Sequence, residues 1–373
     1  MTITNRKKLI TIVAGARPNF MKIAPIIRAL KEAREYFEYR LVHTGQHYDD
    51  IMNAIFFAEF GIPQPHNTFE GRRGEGDAEQ TARILVQFDA ECKNHKPDLV
   101  LVVGDVNSTL ACSIVAKKQG ILLAHVEAGL RSSDRLMPEE INRIITDCIA
   151  DFFFVTEPSG VESLLKEGHH KDSIFYVGHV MVDNLYYQLS KLNPENFSLS
   201  ISNTLKERFK KYAVVTLHRP SNVDSRESLE GISKILADVA KNIAVIFPIH
   251  PRTKKNLEKF GITLGSNIHA IEPLPYMEFL NLWKDATFVL TDSGGLQEET
   301  TALSIPCLTL RINTERPITI TEGTNVLVGV DPIKIHYEVA RILEGNIQVG
   351  IKPKFWDGFS AQRIVKILIE QLH

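Results

Sequence analysis

The stretch TFVLTDSGGLQEET, residues 287–300, joins an apolar, β-branched run to a polar segment that contains paired glycines. The run 287–290 is typical of a strand buried on both faces, as in a parallel sheet. After Asp292, the pair Gly294 and Gly295 lets the backbone of a helix start approach a ligand closely, and exposed N–H groups there attract phosphate. The alternative is an ordinary strand-to-helix turn, with a capping serine and acids that match the helix dipole.

Similar apolar runs recur along the chain, with helix-length gaps between most of them. The first series is LITIVAG (9–15), YRLVHTG (39–45), DLVLVVGD (98–105), ILLAHVEAG (121–129), FFFVT (152–156) and IFYVG (174–178). The second series is YAVVTLH (212–218), AVIFPIH (244–250), HAIEP (269–273), ATFVLTD (286–292), CLTLR (307–311) and NVLVG (325–329). This alternation predicts βαβ units and two doubly wound α/β domains. The polar segment 190–203 between the series is the best candidate for the connection between the domains.

Length, charge and cysteine content exclude several classes of protein. A chain of 373 residues suits two domains, and a net charge of −2 gives no reason to expect a nucleic-acid or membrane partner. Four cysteines lie far apart, without the spacing of a disulfide framework or a zinc site, which fits reduced thiols. The N-terminal apolar run of about seven residues is too short for a signal peptide or a membrane span, so we expect a cytoplasmic protein.

Polar side chains follow most of the predicted strands. Ligands of open α/β sheets bind beyond the carboxyl ends of the strands. Because such residues follow strands of both series, we expect a single cleft between the two sheets. The strand-end residues are Arg17, Gln46, His47, Asp105, Glu127, His218, Arg219, His250, Arg252, Asp292, Ser293 and Arg316.

Taken together and in order, these segments resemble the non-hydrolysing UDP-N-acetylglucosamine 2-epimerases. The matching segments are GARPNFMKIAP (15–25), TGQHYD (44–49), GDVNST (104–109), HVEAGLRS (125–132), MPEEINR (137–143), TLHRPSN (216–222), PIHPRT (248–253), TDSGGLQEE (291–299) and TERP (314–317). The resemblance implies a GT-B-like fold, with two doubly wound Rossmann-like domains facing a central cleft. The N-terminal domain would span 1–185 and the UDP-binding domain 186–359, with helix 360–372 crossing back to the N-terminal domain.

Members of that family interconvert UDP-N-acetylglucosamine and UDP-N-acetylmannosamine, which supply cell-surface polysaccharides. They eliminate UDP across C1–C2 to give 2-acetamidoglucal, and then add UDP back with the opposite configuration at C2. The resemblance therefore implies a UDP-sugar substrate, no cofactor, no metal and a homodimer. The sequence agrees in two respects, since no GxGxxG motif follows the first strand and no group of residues has metal-ligand spacing.

Four residues match the catalytic residues of the family, namely Asp105, Glu127, Glu139 and His218. The three acids would move the C2 proton, although which acid serves which face stays open. As ordinary strand-end and helix-start acids, they would instead cap helices or match the helix dipole. His218 would protonate the departing diphosphate or stabilise its charge. Arg143, four residues after Glu139 on one helix, can pair with it.

The resemblance assigns further residues to the UDP-sugar. Ser293, Gly294 and Gly295 would hold the diphosphate at a helix start, and Glu299 would accept hydrogen bonds from the ribose hydroxyls. The other predicted substrate contacts are Arg17, Lys22, Arg143 and Arg316, for the phosphates or the reacting sugar, and Phe279, as an apolar wall near the uracil.

This chain differs from the family pattern near the uracil, and it carries residues that match a second ligand site found in some members. This chain has Leu274 where the family often has a glutamine near the uracil. Some bacterial members also bind a second UDP-N-acetylglucosamine as an activator. The residues that match this activator site, or that serve only as cleft walls, are Gln46, His47, Arg219 and His250.

Four other activities share parts of the pattern. A hydrolysing relative would release free N-acetylmannosamine and UDP, but RLMPEEINR (135–143) has the non-hydrolysing form. A GT-B glycosyltransferase would not need the three acids, and a catalytically silent UDP-sugar sensor would have lost one of them. The main alternative is therefore an epimerase of a modified UDP-diacetamido sugar.

Overall fold

Each apolar run quoted above forms a strand in the computed structural model, which describes residues 6–46, 57–72, 74–192, 200–347 and 350–373. These strands form because their apolar side chains are buried on both faces of a sheet, as for the fully buried LVLVV run of residues 99–103. The chain divides into two units, Met1–Tyr187 with Lys354–His373, and Gln188–Pro353.

The first unit contains a sheet in which all neighbouring strands pair in parallel. Its described strands are β1 (Lys8–Ala14), β2 (Phe37–His43), β3 (Asn67–Thr68), β4 (Leu99–Val103), β5 (Leu122–Val126), β6 (Phe152–Val155) and β7 (Ile174–Tyr176). Their order is β3-β2-β1-β4-β5-β6-β7, so the winding direction changes between β1 and β4. Since the strands are parallel, the residues that follow them all lie at one edge, where ligands bind in such sheets.

Helices connect these strands, and several begin with a proline in their first turn. They are α1 (Arg17–Glu32), α2 (Asp77–His95), α3 (Asn107–Lys118), α4 (Pro138–Ile149), α5 (Pro158–Lys166) and α6 (Val180–Lys191), with a short 3₁₀ helix over Lys171–Ser173. Proline suits these positions because its missing N–H would have no partner inside the helix. The division between the two units falls within α6.

The second unit repeats the parallel arrangement with shorter strands. Its described strands are β8 (Tyr212–Thr216), β9 (Ala244–Pro248), β10 (Ile268–Ile271), β11 (Phe288–Thr291), β12 (Cys307–Thr309) and β13 (Asn325–Leu327), in the order β10-β9-β8-β11-β12-β13. Its helices are α7 (Ile201–Arg208), α8 (Pro220–Val223), α9 (Arg226–Val239), α10 (Pro251–Phe260), α11 (Tyr276–Trp283), α12 (Gly294–Ala302), α13 (Ile318–Thr321) and α14 (Pro332–Leu343).

The final helix, α15 (Ser360–Leu372), belongs to the first unit and contacts α1. Asp183 on α6 caps it by accepting hydrogen bonds from the N–H groups of Ser360 (3.1 Å) and Ala361 (2.6 Å). Burial raises the pKa of Asp183 to about 6, although these bonds oppose the rise. A single carboxylate therefore anchors the start of the final helix.

The residues just before α15 also pack into the first unit. Trp356 is fully buried, and its Nε1 donates to the carbonyl oxygen of Thr156 at 3.2 Å. Gly178 has a φ of +89°, and a Cβ there would lie 2.0 Å from the carbonyl oxygen of Phe355. Only glycine allows both this positive φ and this close approach of the backbone. The segment before α15 is therefore held by close packing as well as by hydrogen bonds. None of the helices among the described residues has the length and apolar composition needed to cross a bilayer.

Candidate active site

Asp105 lies at the carboxyl edge of the first sheet and is held by a cation. Arg143 on α4 donates to Asp105 Oδ2 from Nε at 3.0 Å and from Nη2 at 2.6 Å. Asn142 donates to the carbonyl oxygen of Asp105 at 2.8 Å. The Asp105 side chain keeps 27% of its surface exposed, so a ligand can reach an acid whose position is already set.

The predicted pairing of Arg143 with Glu139 is wrong. Arg143 Nη1 instead donates to the buried Glu140 at 2.8 Å, and Glu139 is exposed. Glu140 also accepts from the N–H groups of Ser132 and Ser133, each at 2.9 Å. Burial raises the pKa of Glu140, but these hydrogen bonds outweigh it and the net pKa is lowered. Spacings of three and four residues both bring side chains together on a helix, so either glutamate fits the pattern.

Glu127 and Lys22 form a buried ion pair at the same edge of the sheet. Glu127 has a φ of +73°, a left-handed conformation that strains a non-glycine residue and that often marks a functional site. Gly104 leaves room for this pair, since a Cβ there would lie 3.0 Å from Lys22 Nζ and 3.4 Å from Glu127 Oε2. Because Gly104 directly precedes Asp105, the structure brings Asp105 and Glu127 to one small region.

Of the three other residues predicted in the first unit, the structure describes Gln46 fully and Arg17 in part. Arg17 begins α1, but its side chain is not among the described parts of the chain. Gln46 Oε1 accepts from the N–H of Ser108 at 3.0 Å and from its hydroxyl at 2.7 Å, so this oxygen helps to cap α3. His47 lies outside the described residues.

In the second unit, Asp292 organises the residues that follow β8. It is fully buried, and its Oδ1 lies 2.8 Å from His218 Nδ1. Its carboxylate also accepts from the N–H of Arg219 at 2.9 Å and from Asn222 Nδ2 at 3.1 Å. Burial raises the pKa of Asp292, but the bonds from His218 and Arg219 outweigh it and lower the pKa. This carboxylate orients the ring and leaves Nε2 as the nitrogen available to a ligand.

The sequence analysis names Asp292 only as a strand-end residue and does not predict that it orients His218. The positions of the two residues in the sequence do indicate that they lie close together. Asp292 directly follows β11 and His218 follows β8, and these two strands are neighbours in register, with Thr291 opposite Thr216. Two polar residues at adjacent strand ends are expected to meet.

A pocket of about 180 Å³ opens beside His218. It is lined by Thr216, Leu217, His218, Pro248, His250, Pro273, Leu274 and Phe279. The rings of His218 and His250 lie 6.0 Å apart, and burial, with the charges of His218 and Arg252, lowers the pKa of His250. A small, mostly apolar pocket with two imidazoles at its wall suits a flat heteroaromatic ring.

The helix start at residues 293–295 has the geometry of an anion site. Ser293 is the extended residue before α12, and its side chain makes no capping bond. A Cβ on Gly294 would meet nothing within 4 Å, so the space above the helix start is open. Gly295 follows in the first turn, where the helix N–H groups have no partner within the helix. These groups and the helix dipole together favour phosphate.

Glu299 and Arg316, the remaining predicted residues, are both bonded to protein side chains. Tyr276 donates its hydroxyl to Glu299 Oε1 at 2.7 Å. Burial, with the adjacent Glu298, raises the pKa of Glu299 to about 7, although the Tyr276 bond lowers it. Arg316 forms an ion pair with the buried Glu298, which sets the direction of its guanidinium.

Known proteins are similar to this chain over nearly its whole length. The family model described as UDP-N-acetylglucosamine 2-epimerase matches residues 28–369. The protein of that name from Methanocaldococcus jannaschii is 43% identical over 370 residues, covering 96% of this chain and 98% of the relative. The UDP-2,3-diacetamido-2,3-dideoxy-D-glucuronate 2-epimerase of Pseudomonas aeruginosa is 38% identical over 326 residues, covering 86% and 88% respectively.

A solved structure extends the likeness to the fold. The crystal structure of the Methanocaldococcus jannaschii UDP-GlcNAc 2-epimerase, in complex with UDP-GlcNAc and UDP, matches with a TM-score of 0.82 at 39% identity. The match covers 97% of this chain and 99% of that one. With the two parallel sheets and their alternating helices, it confirms the predicted α/β, GT-B-like fold class. The family model and the curated relatives span nearly the whole chain, and the chain belongs to the UDP-N-acetylglucosamine 2-epimerase family.

Proposed function

We propose that this protein is a non-hydrolysing epimerase that interconverts UDP-N-acetylglucosamine and UDP-N-acetylmannosamine. The observation that carries the proposal is the placement of Asp105 and Glu127 around Gly104, each beside its own cation. Inversion at C2 removes a proton from one face of the carbon and returns a proton to the other, which requires more than one ionisable group nearby. Family membership and the 43% identical relative of that name support the substrate.

The reaction proceeds by elimination and re-addition. One carboxylate accepts the C2 proton, the C2–H electron pair becomes the C1–C2 double bond, and the C1–O electron pair leaves with UDP. This step yields 2-acetamidoglucal and UDP. In the return step an acid protonates C2 from the opposite face, and an oxygen of the β-phosphate bonds to C1. The acids proposed for these transfers are Asp105, Glu127 and Glu139.

The first unit would bind the sugar end of the substrate. Arg143 and Lys22 hold Asp105 and Glu127 in place through ion pairs. Arg17, at the start of α1, would meet the phosphates or the reacting sugar. Glu139 is exposed, so it can accept or deliver a proton with little loss of hydration.

The second unit would bind UDP. The N–H groups at Ser293, Gly294 and Gly295 would hold the diphosphate, while His218 offers Nε2 to the departing oxygen. The pocket beside His218 would take the uracil against Phe279, with Leu274 in the wall in place of a polar side chain.

Two further residues of this unit would contact UDP. Glu299 would accept from the ribose hydroxyls, and Arg316 would face the phosphates.

Turnover in D2O tests the proposal directly. Purified protein incubated with UDP-N-acetylglucosamine should give UDP-N-acetylmannosamine by NMR, with deuterium at C2 of both epimers. Product without deuterium would contradict elimination, and free N-acetylmannosamine would identify a hydrolysing enzyme. The 38% identical relative motivates a parallel assay with the UDP-diacetamido uronic acid. Turnover of that sugar alone would replace the proposed substrate with the modified one.

Three further properties belong to the proposal. The protein acts as a homodimer in the cytoplasm, and the four cysteines, all free in the structure, fit a reducing compartment. Light scattering should give twice the mass of one chain.

A second UDP-N-acetylglucosamine would act as an activator at Gln46, His47, Arg219 and His250. If the wild-type rate depends sigmoidally on substrate concentration and Gln46→Ala makes this dependence hyperbolic, the activator site is supported. A hyperbolic dependence in the wild type would exclude the site.

A further inference from the structure

His125 and Asp147 form a buried polar pair that the proposed mechanism does not use. Both side chains are 0% exposed, and His125 Nδ1 lies 2.6 Å from Asp147 Oδ1. The other ring nitrogen, Nε2, lies 2.8 Å from the carbonyl oxygen of Gly104, the residue before Asp105. His125 also precedes Glu127 by two residues on β5. The pair therefore joins the ends of β4 and β5, where the two proposed acids are placed.

The second oxygen of Asp147 extends the connection to the turn after β5. Oδ2 accepts from the N–H of Gly129 at 3.0 Å and lies 2.8 Å from Arg131 Nη1. Burial raises the pKa of Asp147, but His125, Arg131 and the Gly129 N–H together lower it below its ordinary value. Asp147 is thus ionised, and one carboxylate ties α4 to β5 and to the turn that follows.

The hydrogen-bond partners of His125 define where its protons lie. The carbonyl oxygen of Gly104 can only accept, so Nε2 must carry a hydrogen. Asp147 faces the other nitrogen, Nδ1, so each ring nitrogen has one partner and the ring cannot turn without breaking both contacts.

The charges around this ring come from several parts of the fold. Asp147 on α4 contacts the ring, Arg131 in the turn after β5 pairs with Asp147, and Arg131 pairs in turn with Glu167 at 2.6 Å. Beyond Gly104 lie the pair of Lys22 on α1 with Glu127, which follows β5, and the Arg143–Asp105 pair.

We infer that His125 and Asp147 are positioning residues of the epimerisation, which hold the Gly104–Asp105 peptide and the Glu127 turn in their reactive arrangement. The inference rests on the proposed function. Helix α4 carries both Arg143 and Asp147, four residues apart. Arg143 bonds the side chain of Asp105, and Asp147 contacts His125, which bonds the carbonyl oxygen of the preceding residue.

The hydrogen bond from His125 to Gly104 can be read without turnover. In wild-type protein with ¹⁵N-labelled histidine, Nε2 of His125 should carry a proton at neutral pH, because the carbonyl oxygen of Gly104 can only accept. An unprotonated Nε2 in the wild type would overturn the inference, even if the protein proves to be an epimerase.

Kinetics of Asp147→Asn test the positioning role, with Asp151→Asn as the matched control. Asp151 accepts from the N–H of Leu123 and from Lys117, each at 2.7 Å, at the opposite end of β5. Asp147→Asn should lower kcat by roughly 10-fold or more with KM changed by less than about 3-fold. Asp151→Asn should leave kcat unchanged. Wild-type kcat in Asp147→Asn would overturn the inference, whereas an inactive wild type would refute the proposed function instead.

A second variant covers the case in which Asp147→Asn does not fold. His125→Gln can still donate to the Gly104 carbonyl but cannot at the same time contact Asp147. This variant should lower kcat by roughly 10-fold with KM changed by less than about 3-fold. Wild-type kcat in His125→Gln would contradict the role of His125.

Discussion

Asp292 holds His218 through both its side chain and its main chain. Its carboxylate lies 2.8 Å from the ring Nδ1 and accepts the main-chain N–H of His218 at 3.1 Å. Asp292 is fully buried, whereas the His218 side chain is 41% exposed. A rigid acceptor beneath a reachable imidazole sets both the position of the ring and the nitrogen it presents.

Asp292→Asn should therefore damage turnover. The amide cannot replace every bond that the carboxylate accepts, and the ring loses its orientation, so we expect kcat to fall by roughly 10- to 100-fold. The control is Asp238→Asn, which changes an exposed carboxylate paired with Lys241 in the same unit. Steady-state kinetics of both variants check the prediction. Equal kcat in both would mean that the orientation of His218 does not matter.

UDP affinity should rise with pH near neutrality because of Glu299. The pKa of this buried acid is raised to about 7, so it is mostly protonated at about pH 6 and mostly ionised at about pH 8. Only the ionised form accepts from two ribose hydroxyls. The Kd for UDP should fall by roughly 10-fold across this range.

Two variants separate this effect from the titration of UDP itself. Glu299→Gln should keep only the pH dependence that comes from the ligand. Tyr276→Phe removes a bond that lowers the pKa of Glu299, so the rise in affinity should shift to higher pH. Calorimetric titration measures the Kd for UDP at each pH. If the Kd of the wild type and that of Glu299→Gln depend on pH in the same way, this carboxylate does not contribute to UDP binding.

Gly294→Ala should weaken UDP binding without weakening the fold. The new methyl group would project into open space at the start of α12, where the diphosphate is proposed to lie. Alanine in a helix is more stable than glycine by about 0.5–1 kcal/mol, so the melting temperature should not fall. Gly231→Ala in α9 is the matched control, since a Cβ there also meets nothing within 4 Å. Unchanged Kd for UDP in Gly294→Ala would place the diphosphate elsewhere.

Substitution of the proposed acids Glu127 and Glu139 should lower activity in both cases but should change the stability of the protein by different amounts. Glu127→Gln leaves the buried ammonium of Lys22 without its counter-charge, which should cost about 3–5 kcal/mol of unfolding free energy. Glu139→Gln changes an exposed side chain and should cost less than about 0.5 kcal/mol. Both should lower kcat by roughly 100-fold. Denaturant unfolding with equal midpoints for the two variants would contradict the buried pair.

The strands could be predicted because burial on both faces leaves a clear mark in the sequence. Runs such as residues 99–103 are apolar throughout, and the polar residue that follows each run marks the ligand-binding edge. Family motifs then singled out acids that the structure places together, such as Asp105 and Glu127 around Gly104.

Partners within the site were harder to predict, because they depend on geometry that a linear pattern does not contain. Arg143 bonds Glu140 rather than Glu139, since both spacings suit a helix and only the fold decides which glutamate is buried. The left-handed backbone of Glu127 leaves no mark, because glutamate gives no sign of a positive φ. Asp147 acts through His125, 22 residues away in the sequence, so its role emerges only from tertiary contacts.

The docking of Trp356 and α15 onto the first unit also sets the order of events during synthesis. The ribosome makes residues 1–187 first, but the site for Trp356 and the capping carboxylate of Asp183 stay unfilled until the last segment emerges. The whole second unit is translated in between. Until then, the apolar side chains of the first unit that Trp356 and α15 later cover stay without these partners, so the first unit completes its core only after the second unit has been made.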